Sequence, residues 1–270
     1  MNPPGALHLV PNTLDFGAPG AMPDLQEVMP LGVIRLAARL DHWIAENAKS
    51  TRAFLKRVDA VVPLGRPLQS IGIIELPRPR KGGGAPPAAS AGGASGADAA
   101  SGLLEPALHG HDIGLISEAG LPAVADPGAR VVEAAHAIGL RVVSWPGASS
   151  LLLALAASGL NGQSFAFVGY LPTDPAGRAA RIRALEGTSQ QQSQTQLMIE
   201  TPYRNAALLA ALVEHLQPSA RLSVSCGLTL EAGFTRSDTV AGWRSRPTTL
   251  PANIPAVFSL LAGGRDPAPR

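Results

Sequence analysis

The sequence predicts an α/β protein, and three observations carry that prediction. First, a short apolar run at residues 113–117, behind polar His111 and Asp112, is followed by a loop of small and rigid residues at 118–128. Val131, Val132, Ala135 and Ile138 then recur at i, i+1, i+4 and i+7, Gly139 closes the helix they imply, and a second run at 141–145 stops at Pro146-Gly147. Strand, loop, helix, strand is a βαβ unit, whose strands pair in parallel with a right-handed crossover. Second, both Gly- and Pro-rich turns follow the carboxyl end of a strand, where open α/β sheets bind ligands. Third, short β-like runs alternate with helical patterns on either side of this unit.

In chain order, residues 6–10 read as a strand ended by Pro11, and 31–40 as a helix with Pro30 at its first position. Residues 42–45 form a second strand, and Ser50 and Thr51 cap a helix that runs to Val58. Residues 61–76 hold two apolar runs separated by Gly65-Arg66-Pro67. Residues 81–100 are almost purely Gly, Ala, Ser and Pro without apolar periodicity, the signature of a disordered insert. A short helix at 102–109 leads into the βαβ unit, and a helix at 148–158 leaves it. The loop at 159–163 divides a first domain, residues 5–160, from a second, residues 164–262.

The second domain reads as a strand at 165–169, a helix at 175–185 and an exposed Gln-rich loop at 189–194. A strand at 197–199 follows, then Thr201-Pro202 capping a helix at 203–215, and a strand at 222–226. The alternation over 234–243 suits a hairpin, 253–261 a last strand, and 263–270 a flexible tail.

Composition excludes several classes. Of 270 residues 46% are hydrophobic and 16% charged, enough for a sizeable core. No apolar run approaches the roughly 18 residues that span a bilayer, and no basic region precedes the first apolar residues, so a cytoplasmic protein is expected. The single Cys226 has no disulfide partner, and in a strand it reads as buried packing. The six histidines are scattered, so no metal site is expected, and neither a phosphate-binding P-loop nor a nucleophile elbow is present. A net charge of +2 does not by itself indicate nucleic acid, but Arg178, Arg181 and Arg183 gather on one helix. They are either a solvated face or a rim that contacts phosphates.

Gly120, Gly128 and Gly147 remove side chains where a ligand would approach the backbone, and Ser149 and Ser150 offer hydroxyls at a helix start. That chemistry suits backbone-led binding of a polar, nucleoside-like ligand, and it equally suits two loops that merely turn tightly. Trp145 reads as core or cleft wall; Tyr170 reads as packing or as a stacking surface for an acceptor.

The residues themselves add a resemblance. SEAGLPAVADPG at 117–128 with WPGASS at 145–150 resembles the S-adenosylmethionine-binding loops of the tetrapyrrole methylase family. The ribosomal RNA small-subunit methyltransferase I branch is the most similar, and MIETPYR at 198–204 resembles its Y/F-E-S/T-x-x-R segment. The resemblance implies two α/β domains with mixed sheets and the cofactor in the cleft between them, and it puts the sheet of the first domain on both sides of the insert. It implies cofactor contacts at Pro11, Ser117, Glu118, Ala119, Gly120, Ser149, Ser150, Glu200, Gly227, Pro255 and Ala256. The branch's A-E-D-T-R segment matches at Glu46 and, after a small insertion, at Arg52; Glu46 is then a general base or a fixed ion pair. Substrate contacts would come from Arg52, Tyr170, Arg178 and Arg181. The implied activity is S-adenosylmethionine-dependent methylation of a ribose 2′-hydroxyl in ribosomal RNA, with the small ribosomal subunit as partner, by a homodimer. A tetrapyrrole or other small-molecule methylase, or a non-catalytic S-adenosylmethionine-binding protein on the same fold, are the alternatives. The chain departs from the pattern at residues 12–17, where T-P-I-G-N is usual, at Asn47, where an acid is usual, and at Glu118, where Asp is usual.

Overall fold

A computed structural model describes residues 3–15, 22–77 and 100–263. The chain divides into two compact units, the second beginning at Ser149.

The first unit is a five-stranded sheet of β1 (Ala6–Leu9), β2 (His42–Ala45), β3 (Gly72–Glu75), β4 (Ile113–Ile116) and β5 (Arg141–Ser144), in the order β3-β2-β4-β1-β5. Every pairing in it is parallel, so the mixed character expected of both sheets belongs to the second alone. α1 (Leu25–Val28), α2 (Leu31–Arg39) and α3 (Ala48–Asp59) belong to one face. There Val33, Ile34, Leu36, Phe54 and Leu55 pack on Val10, Trp43 and Ile116. α4 (Glu105–Leu108) and α5 (Ala129–Ala137) belong to the other, where Leu104, Val131 and Ala135 pack on Leu7, Ile44 and Leu115. Alternate residues of one strand serve opposite layers, as the two-residue period of a strand requires. α3 starts two residues before the expected Ser50: the Asn47 side chain accepts from the N–H groups of Lys49 and Ser50 and caps the helix there.

The expected disordered insert lies outside the described residues except at its end, where it needs correction. Ala100 is helical and buried with Leu76 and Leu104.

The second unit is a mixed sheet, order β6-β7-β10-β8-β9, with only the β6–β7 pair parallel. In chain order it has α6 (Ser150–Ser158), β6 (Phe165–Phe167), α7 (Pro175–Gln192), β7 (Thr195–Glu200), α8 (Asn205–His215) and β8 (Arg221–Cys226). β9 (Phe234–Thr239), α9 (Val240–Ser245) and β10 (Ala256–Leu261) complete it. Helices α7, α8 and α9 cover one face, bringing Ile182, Leu185, Leu208, Leu212 and Trp243 onto Met198, Val224 and Phe258. α6 packs through Ala154 and Leu155 onto Leu197 and Val257 of this same sheet, so the boundary falls at Ser149 and not after residue 160. Two further expectations are corrected. α7 runs through most of the Gln-rich segment, because Gln is a good helix former and Ser189 is buried with its hydroxyl accepting the Ala262 N–H. The hairpin is β8 with β9, while Trp243 sits on α9 and donates its indole N–H to Leu222 O. Cys226 is buried, and desolvation pushes its thiol pKa up, in line with a packing role.

Candidate functional site

In the first sheet the chain leaves β1 toward β2 on one side and leaves β4 toward β5 on the other. The crevice between the carboxyl ends of β1 and β4 is therefore the topological switch point, where such sheets place ligands. The two loops there are pinned together. Asn12 N–H donates to Gly120 O at 2.8 Å and Gly120 N–H returns a bond to Asn12 O at 3.2 Å. Asn12 Nδ2 donates to the carbonyls of Ser117 and Glu118, both at 3.0 Å, and Thr13 N–H donates to Asn12 Oδ1. Asn12, which looked like a loss from the usual T-P-I-G-N loop, thus fastens the first loop to the second.

Glu46 follows β2, and its Oε2 accepts the Glu118 N–H at 2.9 Å. Its carboxylate is therefore engaged in positioning the β4 loop. Arg52 is exposed on α3, and among the described residues no ion pair joins it to Glu46, so of the two roles weighed for Glu46 the pair with Arg52 is not the one seen. The arginine that ties α3 to the first loop is Arg57. It pairs with Asp15 Oδ2 at 2.9 Å and donates to Thr13 Oγ1, while the Thr13 hydroxyl donates to Asp15.

The loop at 120–128 is strained. Gly120 has φ +69°, and two alanines, Ala123 and Ala125, are also left-handed at φ 65°. Non-glycine residues there cost energy and concentrate at functional loops. Gly147 allows a close approach, since a Cβ on it would lie 2.3 Å from Pro11 Cγ. Pro11 is thus buried against the β5 turn.

Asp126 is the site residue that sequence reasoning missed. Burial first, and then the charges of Glu46 and Glu118, push its carboxyl up from 3.8 to about 7, a rise that the Ser117 hydroxyl opposes. It lines a cavity of about 510 Å³ with Leu76, Leu103, Pro127 and Val131. Its D-P-G setting was visible in the sequence; its surroundings, apolar Leu76, Leu103 and Val131 together with the carboxylates that follow β2 and β4, were not. Also unforeseen is a polar chain through the sheet. Trp145 Nε1 donates to His8 Nδ1 at 2.9 Å, and His8 Nε2 lies 3.4 Å from Asp112 Oδ2. Desolvation is the largest cause lowering the His8 pKa, so the ring is a neutral strut.

In the second unit, Glu200 at the end of β7, Cys226 at the end of β8 and Ala256 at the start of β10 lie in one row across the sheet. Gly227 N–H donates to Pro255 O at 3.0 Å, so Glu200, Gly227, Pro255 and Ala256 come together. Glu200 is buried and committed: its Oε1 accepts Arg204 Nη2 at 2.7 Å and the Thr201 N–H at 2.7 Å. The adjoining loop has a left-handed Thr229, φ 69°, whose hydroxyl is buried without a hydrogen-bond partner among the described residues. Ser149 and Ser150 begin α6, where the Ser149 hydroxyl makes no capping bond. Tyr170 follows β6 and is 56% exposed, while Arg178 and Arg181 lie on α7. Among the described residues no group of side chains could hold a metal ion.

The model of a family described as Tetrapyrrole (Corrin/Porphyrin) Methylases matches residues 27–240. The ribosomal RNA small subunit methyltransferase I of Pseudomonas aeruginosa is 43% identical over 101 residues, which are 37% of this chain and 34% of that protein. The protein of the same name from Mesorhizobium japonicum is 41% identical over 120 residues, 44% of this chain and 40% of that one. The chain thus spans 34% and 40% of the lengths of these two relatives. Among solved structures, the methyltransferase CobJ shares 16% identity with a TM-score of 0.54, covering 98% of this chain and 97% of its own. Uroporphyrin-III C-methyl transferase from Thermus thermophilus, complexed with S-adenyl homocysteine, shares 17% identity with a TM-score of 0.50, covering 95% and 97%. At these identities the likeness to solved structures is one of fold.

Proposed function

Because the chain belongs to the tetrapyrrole (corrin/porphyrin) methylase family, we propose that it is an S-adenosylmethionine-dependent methyltransferase whose acceptor is a ribose 2′-hydroxyl of ribosomal RNA. The observation that carries the reading is the pinned and strained pair of loops at the β1–β4 switch point. The names of the curated relatives favour ribosomal RNA of the small subunit as the acceptor.

The residues fit the cofactor's chemistry. S-adenosylmethionine is a nucleoside joined to an amino acid, and it is held by uncharged donors and close backbone rather than by a charged clamp. In the first unit Pro11, Ser117, Ala119 and Gly120 are its assigned contacts. In the second unit, Ser149, Ser150, Gly227, Pro255 and Ala256 keep the cofactor-contact role that the family resemblance implies for them, and the Thr229 hydroxyl beside Gly227 is buried without a hydrogen-bond partner among the described residues. Glu118 and Glu200 act as supports: the Glu118 N–H is taken by Glu46, and Glu200 is taken by Arg204. When bound, the cofactor supplies a methyl group already activated on a sulfonium, so the protein's work is positioning and exclusion of water. Since Glu46 already accepts a backbone N–H, the proton of the acceptor hydroxyl is assigned to Asp126, whose pKa of about 7 suits a general base. Arg178 and Arg181 are assigned to acceptor phosphates.

No helix among the described residues is long and apolar enough to cross a membrane. A cytoplasmic homodimer belongs to the same reading. A small-molecule acceptor is the second reading, favoured by the apolar cavity beside Asp126. Incubation with methyl-labelled S-adenosylmethionine and fractionated cell RNA, protein and small molecules separates the two. Label in RNA supports the first reading, and label only in a small molecule supports the second.

A further inference from the structure

The chain has only two tyrosines, and both are largely exposed, Tyr170 at 56% and Tyr203 at 73%. They leave the second sheet from neighbouring strand ends. β6 and β7 are adjacent and parallel, and their pairing continues past β6, with Val168 N–H on Leu197 O and Ile199 N–H on Gly169 O. Tyr170 comes next after Gly169, and Tyr203 sits in the 3-10 turn Pro202–Arg204 that follows β7. That turn is braced from inside. Glu200, with its side chain 2% exposed, holds Arg204, whose Nε also donates to Thr201 Oγ1. The Arg204 guanidinium carbon lies 5.8 Å from the centroid of the Tyr203 ring. α7, which follows Tyr170 in the chain, carries Arg178 and the exposed Arg181. Arg178 Nε is buried with no hydrogen-bond acceptor among the described residues.

We propose that Tyr170 and Tyr203 form a stacking platform for unpaired bases of an RNA segment, with Arg178 and Arg181 beside it on the phosphates. The inference rests on the RNA reading above and narrows it, because an aromatic face can stack only on bases that are not paired. The acceptor nucleotide then lies in a single-stranded loop or end and not within a helix. Arginine supplies the donors that phosphate oxygens accept, and an exposed ring held by a buried ion pair is organised before the RNA arrives.

The test is fluorescence anisotropy of an end-labelled single-stranded oligoribonucleotide and of a matching RNA duplex, with S-adenosylmethionine binding measured by calorimetry on the same preparations. The wild type should prefer the single strand. Tyr170→Leu and Tyr203→Leu should each weaken that binding about tenfold without changing its salt dependence, and Tyr203→Phe should retain it. Arg178→Gln with Arg181→Gln should lower the log–log salt slope by about one for each phosphate the protein no longer neutralises. Unchanged affinity in both leucine variants, or a preference for duplex, overturns the platform and leaves the methyltransferase reading standing. A wild type that binds cofactor, binds no RNA and methylates a small molecule overturns the RNA reading and the platform together.

Discussion

Asp126 concentrates the electrostatics of the first unit in one group. Its folded pKa of about 7 lies above its unfolded value of 3.8. Between those values the folded chain binds more protons than the unfolded one, so stability falls as pH rises from about 4 to about 7 and then levels. Asp126→Asn should flatten that decline in a series of melting temperatures against pH, and should raise the melting point most above pH 7. A pH dependence unchanged in the variant would contradict the raised pKa of Asp126. Gly147 makes a steric counterpart. A methyl group there would overlap Pro11, so Gly147→Ala should cost about 1–3 kcal/mol, read by urea unfolding. The special need for glycine at the turn was legible, because Pro-Gly after a strand end announces a tight approach. What the methyl group would strike was not, since Pro11 and Gly147 meet only when β1 and β5 pair.

The elements show where local reading stops. Residues 42–45 read as a strand at its observed bounds, and Asn47 then caps α3 although the usual residue there is an acid. Asn and Asp cap about equally well, so that departure is conservative. Asn47→Ala should cost about 1 kcal/mol in denaturant unfolding and Asn47→Asp close to none. Glu46, one residue earlier, separates two roles by mutation. As the acceptor for Glu118 N–H it needs only an oxygen, so Glu46→Gln should keep most cofactor affinity and, above pH 7 where Asp126 is ionised with or without the Glu46 charge, most of the transfer rate, while Glu46→Ala loses both. A rate collapse in Glu46→Gln with affinity intact would return the general-base role to Glu46. Helix α7 outran its sequence reading because Gln-rich composition suggests a loop while Gln itself favours a helix, and only the buried Ser189 decides the matter. α6 was assigned to the wrong unit for a similar reason. Its sequence, SLLLALAAS, is apolar all round, so no face announces its partner; Leu197 and Val257 of the second sheet claim it.

At the scale of the whole chain, the βαβ unit and the Gly/Pro loops were enough to predict the fold class, but not strand order. The order β3-β2-β4-β1-β5 is what brings residues 11–13 beside residues 117–120, and it follows from pairings between strands more than a hundred residues apart. Long-range pairing of that kind leaves no local trace, which is why the motif residues were legible and the Asn12 bridge between them was not. The homodimer assignment is open to light scattering, which should give about twice 27.7 kDa at micromolar concentration; the monomer mass would remove it. Cofactor binding itself bears most directly on the central claim. Calorimetric titration of the full chain with S-adenosylmethionine should show one site per chain at micromolar order, about −8 kcal/mol, and Gly147→Ala should weaken it at least tenfold while the protein stays folded. No heat of binding to folded wild-type protein, for either S-adenosylmethionine or its demethylated product, would contradict the account.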